Sequence, residues 1–211
     1  LHLMFTTLLN FCSNDLSAFY FDIRKDAIYC DGKQSIERRS ARTLLDIIFN
    51  YLVRWLAPSL SFTAEEAWKA RDNQSSIHLE DFLTAPESYK NSKINDTWTT
   101  LKQIRKVITG ALEKKRAEKI IGSSLEAHID IYLEKSILEK VKNYQMDEIS
   151  ITSSFSLHEL NSNIEGFALE EVSNVKVSVL KTSGKKCQRC WKYKQELIRD
   201  EICNRCEDAI S

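Results

Sequence analysis

Glycine and proline are scarce in this sequence, and long apolar runs are absent. The 211 residues include five glycines and two prolines, and no glycine-rich loop of the kind that cradles a phosphate group occurs. No run of eighteen apolar residues occurs either, so the sequence predicts no membrane-spanning helix. Acidic and basic residues number thirty each, so the net charge indicates no class of partner.

Groups suited to catalysis are few. The four histidines are dispersed along the chain. The acidic pairs at 65–66 and 170–171 are adjacent in sequence, so neither is spaced to act as a general acid and base around one bond. Four of the six cysteines fall into a single metal-type pattern, which leaves little support for a nucleophilic cysteine. The residues alone therefore predict a chain that binds rather than catalyses.

Four cysteines near the end of the sequence form its most specific motif. Twelve residues separate two Cys-x-x-Cys pairs, which are Cys187 with Cys190 and Cys203 with Cys206. This spacing lets both thiolates of a pair reach one tetrahedral ion, and two pairs complete a closed site. The motif predicts one structural Zn²⁺, because four thiolates leave no position for water or substrate. The alternative is two disulfides, which would require an oxidising compartment.

Basic and aromatic residues crowd the first cysteine pair. They are Lys185, Lys186, Arg189, Trp191, Lys192, Tyr193 and Lys194. Cations meet phosphates and exposed rings stack on unpaired bases, so this mixture favours a nucleic acid. In the alternative interpretation, Trp191 simply packs over the metal loop.

Charge is distributed unevenly along the chain. Residues 102–119 carry seven Lys and Arg against two Glu, and residues 176–199 carry eight against one Glu. Between them, residues 126–171 carry ten acids against three Lys. Two basic segments around an acidic one indicate either two faces for an anionic partner or a solvated surface of alternating charge.

Hydrophobic periodicity divides the sequence into a helical part and a mixed part. Apolar residues at helical spacing predict helices over 1–25, 35–57 and 95–119, and a capping box at Thr63 and Glu66 predicts a shorter one ending at residue 71. Residues 1–120 are therefore predicted to form a helical bundle. After Gly122 the period changes to two, which predicts a small β-α-β-β domain with strands over 125–134, 149–157 and 175–179.

A third basic group lies at the start of the second predicted helix. It consists of Arg38, Arg39 and Arg42. Cations near a helix N-terminus oppose the helix dipole, so these arginines do not favour the helix itself. They either serve an external anion or form a solvated turn.

Several segments, taken in order, resemble the anticodon-binding region of bacterial-type isoleucyl-tRNA synthetases. They are residues 15–26 (DLSAFYFDIRKD), 53–58 (VRWLAP), 61–66 (SFTAEE), 77–79 (IHL), 111–119 (ALEKKRAEK), 121–127 (IGSSLEA) and 186–191 (KCQRCW). Any one segment would be a weak signal, but the ordered set spans essentially the whole chain.

The resemblance implies a mainly α fold: a helical bundle of the anticodon-binding type, a small α+β junction domain and a four-cysteine zinc finger. The three parts are expected over residues 1–120, 121–182 and 183–211. The implied partner is the anticodon arm of an isoleucine-accepting tRNA, bound by a monomeric cytoplasmic enzyme. The other implied partners are that enzyme's own catalytic and editing domains.

The family's catalytic signatures, HIGH and KMSKS, do not occur in this sequence. ATP and Mg²⁺ would be bound by the catalytic domain that carries them, so no residue here is assigned a catalytic role. The chain also starts at Leu1 without an initiator methionine. We therefore expect a fragment that is inactive on its own.

The candidate tRNA contacts lie in the two basic segments. Unpaired anticodon bases can be splayed onto aromatic rings while cations hold the backbone. The candidates are Lys102, Arg105, Lys106, Arg116 and Lys119 in the last bundle helix, and Arg189, Trp191 and Lys192 at the first cysteine pair. Arg189 and Trp191 are the favoured pair for contact with a base.

Two main alternatives remain at this point, one within the synthetases and one from another class. One is the corresponding region of a valine, leucine or methionine synthetase, although the cysteine tail joined to the 121–127 segment favours isoleucine. The other is a zinc-finger protein that binds or repairs DNA, with a finger similar to that of formamidopyrimidine-DNA glycosylase. The N-terminal proline nucleophile of that family has no counterpart here. A purely structural, protein-binding bundle is a further possibility.

Overall fold

The computed structural model describes residues 2–71, 74–161, 163–199 and 201–211. The chain forms two compact units. The first unit comprises Leu1–Gly32 together with Ser92–Ser211, and the second comprises Lys33–Asn91. The domain boundaries predicted near residues 120 and 182 stay predictions.

The first unit begins with a continuous helical stretch of changing pitch. Helix α1 (His2–Asn10) leads into π-helical turns over Phe11–Phe21, and these lead into α2 (Asp22–Cys30). The helix ends where Asp31 takes an extended backbone conformation. The predicted helix is therefore confirmed and extends five residues further than predicted. Apolar spacing alone does not show the change of pitch.

A four-stranded sheet forms the centre of the first unit. Its strands, β1 (Ala127–Leu133), β2 (Ser154–Glu159), β3 (Phe167–Leu169) and β4 (Val172–Lys181), lie in the order β2-β1-β4-β3. Strand β1 runs parallel to β2 and antiparallel to β4, and β3 pairs antiparallel with β4. Alternate residues of β1 are buried, as the period of two predicts.

Helix α5 (Ser92–Ala117) packs its apolar stripe against this sheet. Leu101, Ile104 and Ile108 are fully buried and share one core with Ile129 and Ile131 of β1. Burying a side chain of this size stabilises the fold by about 1.5–3 kcal/mol. The last bundle helix predicted from the sequence therefore belongs to the same core as the sheet.

Close approach between α5 and β3 depends on a glycine. A Cβ atom added at Gly110 would lie 2.7 Å from the ring of Phe167, well inside ordinary contact distance. The absence of a side chain at this point therefore lets the aromatic ring of β3 rest directly on the helix backbone.

Two short helices connect β1 to β2, and one predicted boundary there is wrong. Helices α6 (Lys135–Val141) and α7 (Met146–Ser150) precede β2. The predicted second strand began at residue 149, but Ile149 lies in α7 and Ile151 has a left-handed backbone with φ 56°. A short apolar run cannot distinguish a buried helical turn from a strand. Strand β3 was not predicted.

The second unit consists mainly of two helices, α3 (Ile36–Leu56) and α4 (Ser61–Lys69). The Ser35 side chain caps α3 by accepting a hydrogen bond from the backbone N–H of Arg38. The predicted capping box is wrong, because α4 begins two residues before Thr63 and Leu60 occupies the N-cap position. Short 3₁₀ turns follow at Ile77–Leu79 and Glu87–Tyr89.

Apolar packing and one buried arginine hold the second unit together. Val53, Trp68 and Ile77 belong to its core. Arg54 donates to the carboxylate of Glu80 at 2.9 Å, and its guanidinium lies 4.7 Å from the Trp68 ring centroid. The buried cation therefore has both a charged and an aromatic partner.

The C-terminal segment of the first unit is a small module around the four cysteines. Strands β5 (Lys185–Lys186) and β6 (Tyr193–Lys194) form a hairpin, and α8 (Asn204–Asp208) follows. The fold class is confirmed as mainly helical with a small α+β region and a four-cysteine module. Within the described ranges, no helix combines the length and apolar character needed to cross a membrane.

Candidate functional site

The four cysteines of the motif converge in the structure. Their sulfur atoms all lie within 4.8 Å of one another and all four residues are buried. The Sγ atoms of Cys190 and Cys203 are 3.8 Å apart. Tetrahedral coordination with Zn–S bonds of about 2.3 Å places sulfurs about 3.8 Å apart, so the donor set fits a metal ion of this kind.

The disulfide alternative is not supported. All six cysteines of the chain are free thiols. A disulfide requires a sulfur–sulfur distance of about 2.05 Å, far below the 3.8 Å between Cys190 and Cys203. The motif is therefore a candidate metal centre.

Backbone hydrogen bonds shape the first cysteine pair into a tight knuckle. The N–H of Trp191 donates to the carbonyl of Cys187 at 2.9 Å, and the N–H of Cys187 donates to the carbonyl of Lys192 at 3.0 Å. The N–H of Cys203 donates to the Cys187 sulfur at 3.3 Å. The turn around the first pair is therefore tied to the second pair through a ligand atom.

The electrostatics of the cluster favour a bound cation. Burial raises the pKa of the Cys190 and Cys206 thiols. At Cys187 burial acts in the same direction, but backbone N–H donors at Cys190, Cys203 and Arg189 outweigh it and lower the pKa to about 6. Four thiolates held this close would repel one another, and a divalent ion removes that repulsion.

Charged side chains fasten the cysteine module to α2 and α7. Arg205 forms a bidentate pair with Asp26, with N–O distances of 2.7 and 2.6 Å. Lys192 lies 2.8 Å from Asp147 and 3.8 Å from Asp26. Burial raises the pKa of Asp26, but hydrogen bonding and charge from Arg205 dominate and lower it. The carboxylate is therefore ionised and paired at neutral pH.

The two residues favoured for base contact, Arg189 and Trp191, have different environments in the structure. Arg189 donates to the backbone carbonyls of Tyr29 and Cys30, at 3.1 Å for Tyr29. It therefore stabilises the C-terminal end of α2, where cations are favourable. Trp191 has the opposite environment, with 58% of its surface exposed. Lys192, the third candidate here, is 7% exposed and already ion-paired.

Trp191 adopts a backbone conformation that normally favours glycine. Its φ is 64°, a left-handed geometry that costs a bulky residue about 1–2 kcal/mol. The ring nevertheless projects outward, and the ammonium of Lys186 lies 5.5 Å from its centroid. The alternative that Trp191 only packs over the metal loop does not account for so large an exposed fraction of the residue.

An apolar cleft of about 470 Å³ opens beside Trp191. Its lining includes Ile23, Tyr29, Leu125 and Ile151. Tyr29 is 73% exposed, so two exposed aromatic residues line the same cleft. Sequence reasoning did not select these four residues for the site, since they come from distant segments that only the tertiary fold brings together.

The candidate cations of α5 have partners within the first unit. Lys102 pairs with Asp15 at 3.1 Å and Lys106 pairs with Glu171 at 2.7 Å. Arg105 donates through Nε to the carbonyl of Ile149 at 2.8 Å. The two remaining candidates lie near the helix end, where Arg116 pairs with Glu113 and the exposed Lys119 follows with φ 59°.

Comparison with known proteins identifies relatives of this chain. Isoleucine–tRNA ligase from Pelagibacter ubique is 46% identical over 192 residues, covering 90% of this chain and 20% of that protein. The same enzyme from Bartonella henselae is 44% identical over 195 residues, and that from Ruegeria pomeroyi is 40% identical over 216 residues. These alignments cover 92% and 98% of this chain, and 20% and 22% of the relatives.

The chain thus spans about a fifth of the length of these curated relatives. Their names favour the isoleucine interpretation over the other synthetases and over a DNA repair protein. The family model for the anticodon-binding domain of tRNA ligase matches residues 1–131. With that match over more than half of its length, the chain belongs to the anticodon-binding domain family of tRNA ligases.

Proposed function

We propose that this chain recognises the anticodon arm of an isoleucine-accepting tRNA as part of a cytoplasmic isoleucine–tRNA ligase. Membership of the anticodon-binding family and the names of the relatives support this proposal. In the whole enzyme, ATP and Mg²⁺ would serve a separate catalytic domain that attaches isoleucine to the tRNA. The contribution of this chain is the choice of tRNA.

The cleft beside Trp191 is the observation that carries the proposal. Anticodon bases are unpaired, so a base can leave its stack and lie against an aromatic ring. Stacking on such a ring is worth about 1–3 kcal/mol per base. The exposed residues Trp191 and Tyr29 line an apolar cleft of about 470 Å³, and the Lys186 ammonium lies over the Trp191 ring, 5.5 Å from its centroid, as a cation for the neighbouring phosphate.

The strained backbone of Trp191 supports the same interpretation. A left-handed residue with a large side chain persists only where the surrounding structure holds it, and such residues cluster at functional sites. Here the hydrogen bond from the Trp191 N–H to the Cys187 carbonyl holds it. The cysteine knuckle therefore positions the ring for contact.

The proposed contact set differs from the predicted one. We retain Trp191 and add Tyr29 and Lys186, because all three are exposed. Lys102, Lys106, Arg116 and Lys119 remain candidates for phosphate contact. Arg105, Arg189 and Lys192 are left out, because internal carbonyls or carboxylates already bind their charged groups.

We further propose that the four-cysteine centre holds one Zn²⁺ with a structural role. The ion would supply the positive charge that four buried thiolates need, and its binding would contribute folding free energy to the module. Cys187, Cys190, Cys203 and Cys206 would be its ligands. The residues around them would then keep Trp191 in place.

Fluorescence anisotropy tests the anticodon proposal. Isoleucine tRNA and the same tRNA with substituted anticodon bases are titrated against wild type and a Trp191→Ala variant at two salt concentrations. We expect wild type to prefer the natural anticodon, and the variant to lose about 5- to 150-fold in affinity for it, as expected for one lost stacking contact. Trp191→Phe should retain most of the affinity.

The matched control is Phe62→Ala, which removes a ring that is 93% exposed in the second unit. This control should bind both tRNAs as wild type does. Equal, steeply salt-dependent binding of wild type to every tRNA would contradict the proposal, because it would show phosphate attraction without recognition.

Metal analysis tests the zinc proposal. A Cys187→Ser variant should lose bound zinc and the ordered amide spectrum of residues 183–211. Cys30→Ser is the control, because Cys30 is a buried thiol packed against the same cluster but outside the four-sulfur group. Retention of one zinc ion per chain in Cys187→Ser would refute the assignment.

A further inference from the structure

Arg39 and Arg42 stand apart from most other arginines of the chain. They lie three residues apart on α3, so both project from the same side of the helix, and both are exposed. Neither guanidinium group forms a hydrogen bond or an ion pair with any other residue that the structure describes. By contrast, Arg24, Arg54 and Arg205 each bind a carboxylate.

The two arginines line a groove of about 730 Å³ on the second unit. Arg71 of the same unit also lines it, with its guanidinium 5.0 Å from the centroid of the Phe49 ring. Arg71 is bonded to Asp46, which is the acidic residue in the groove lining. Among the residues that the structure describes, three arginines and one acid line the groove, so this described lining carries an excess of positive charge.

The fold itself gains little from this charge. Cations within the first turn of a helix oppose its dipole. Arg39 is the fourth residue of α3. Positive groups in a concave surface instead concentrate the field and attract an anion.

The side-chain chemistry narrows the anion to one with paired oxygens. Guanidinium groups present planar forks that bind phosphate through two parallel hydrogen bonds, and lysine cannot reproduce this geometry. The aromatic contact and the bond to Asp46 hold the Arg71 fork in place. A groove with one oriented fork and two unpaired ones suits successive phosphates of a nucleic-acid backbone.

We propose that the groove of Arg39, Arg42 and Arg71 binds backbone phosphates of RNA, as a contact distinct from the Trp191 cleft of the first unit. The choice of RNA as the polyanion rests on the proposed tRNA-binding function. The contact reads no base, so it adds affinity equally for every tRNA. Anticodon preference remains a property of the cleft.

The salt dependence of tRNA binding tests this inference. Dissociation constants for isoleucine tRNA and for its anticodon-substituted form are measured from low to moderate salt. The variants are Arg39→Gln/Arg42→Gln, Arg39→Lys/Arg42→Lys and the control Lys33→Gln/Lys90→Gln, which removes the same charge from exposed positions of the same unit. Thermal melting verifies that each variant is folded.

We expect the glutamine pair to bind both tRNAs about ten-fold more weakly at low salt. The slope of log affinity against log salt should fall by about two, one for each lost phosphate contact. The lysine pair should keep most of the slope, and the control should match wild type. An unchanged slope in the glutamine pair, or an equal fall in the control, would overturn the inference.

The result is independent of the anticodon test. One outcome is that wild type shows no anticodon preference while the salt slope of the glutamine pair still falls. That result would support phosphate binding in the groove and contradict the anticodon-recognition proposal. If the anticodon preference persists and the salt slope of the glutamine pair does not change, only the proposal of phosphate binding in the groove is contradicted. Binding of a carboxylate-bearing protein segment in place of RNA would give that second outcome.

Discussion

Two basic stretches that resemble each other in sequence differ in what their charges do. On α5, Lys102, Arg105 and Lys106 each bind an internal carboxylate or carbonyl. On α3, Arg39 and Arg42 have no such partner among the described residues. A cluster of cations therefore indicates an anion-binding surface only after internal partners have been counted.

The cations of α5 also differ among themselves. Lys102 and Lys106 are about half exposed, and exposed pairs of this kind contribute only about 0–1 kcal/mol. A phosphate can therefore compete for these two ammonium groups. Arg105 is less exposed and joins α5 to the backbone of α7, so its role is to hold the fold.

Replacing Lys192 by methionine should give the largest loss of stability among the variants compared here. The change leaves the carboxylates of Asp147 and Asp26 near the module without their buried ammonium partner. We expect a loss of about 3 kcal/mol in the free energy of unfolding, measured by chemical denaturation. Lys186→Met, at an exposed position of the same knuckle, should change it little. Equal stability of the two variants would contradict the distinction between cations that hold the fold and cations that are free to bind RNA.

Replacing Arg105 by methionine should have an intermediate effect. The lost hydrogen bond joins a charged donor to the Ile149 carbonyl at 2.8 Å, and bonds of this type contribute about 1.5–3 kcal/mol. Hydrogen exchange of the α7 amides should rise accordingly. The matched variant Arg39→Met should leave unfolding within about 0.5 kcal/mol of wild type. A large loss at Arg39 would mean that α3 also uses its arginines internally.

Removing the carboxylates that hold the α5 lysines should strengthen RNA binding. The double variant Asp15→Asn/Glu171→Gln frees the ammonium groups of Lys102 and Lys106 while keeping the side-chain shapes. We expect tRNA affinity to rise a few-fold and the salt slope to steepen by about one or two. Lys142 pairs with Glu139 elsewhere on the first unit, so Glu139→Gln serves as the control. Affinity no higher than in this control would show that α5 does not face the RNA.

The sequence predicted those features that depend on local spacing. Alternation at Ile129 and Ile131 predicted the buried face of β1, and the two Cys-x-x-Cys pairs predicted the cluster of four sulfurs. The sequence could not predict which cations are free to bind an external anion, because internal partners can be distant in sequence. Lys102 and its partner Asp15, for example, are 87 residues apart. The cleft at Trp191 likewise depends on α2 and the β1 region meeting in the fold. Only tertiary contacts decide these points.

The smallest expected effect is on the pH dependence of stability, and it concerns the carboxylate of Glu65 in the second unit. Glu65 accepts hydrogen bonds from Lys69, from the Ser76 hydroxyl and from the Ile77 N–H, and these bonds lower its pKa to about 2. A carboxyl whose pKa falls on folding stabilises the fold fully above its ordinary pKa of 4.5, and this contribution disappears as the pH falls from there towards 2.

Melting temperatures of wild type and Glu65→Gln should therefore differ by a constant amount above pH 5 and converge below pH 4.5. Glu66→Gln, at an exposed neighbouring position, should follow wild type throughout. Because the Glu65 carboxylate holds the Ile77–Leu79 turn against α4, it is not available to neutralise the groove arginines. A pH-independent difference between Glu65→Gln and wild type would show that the ionised carboxylate is not what anchors the turn.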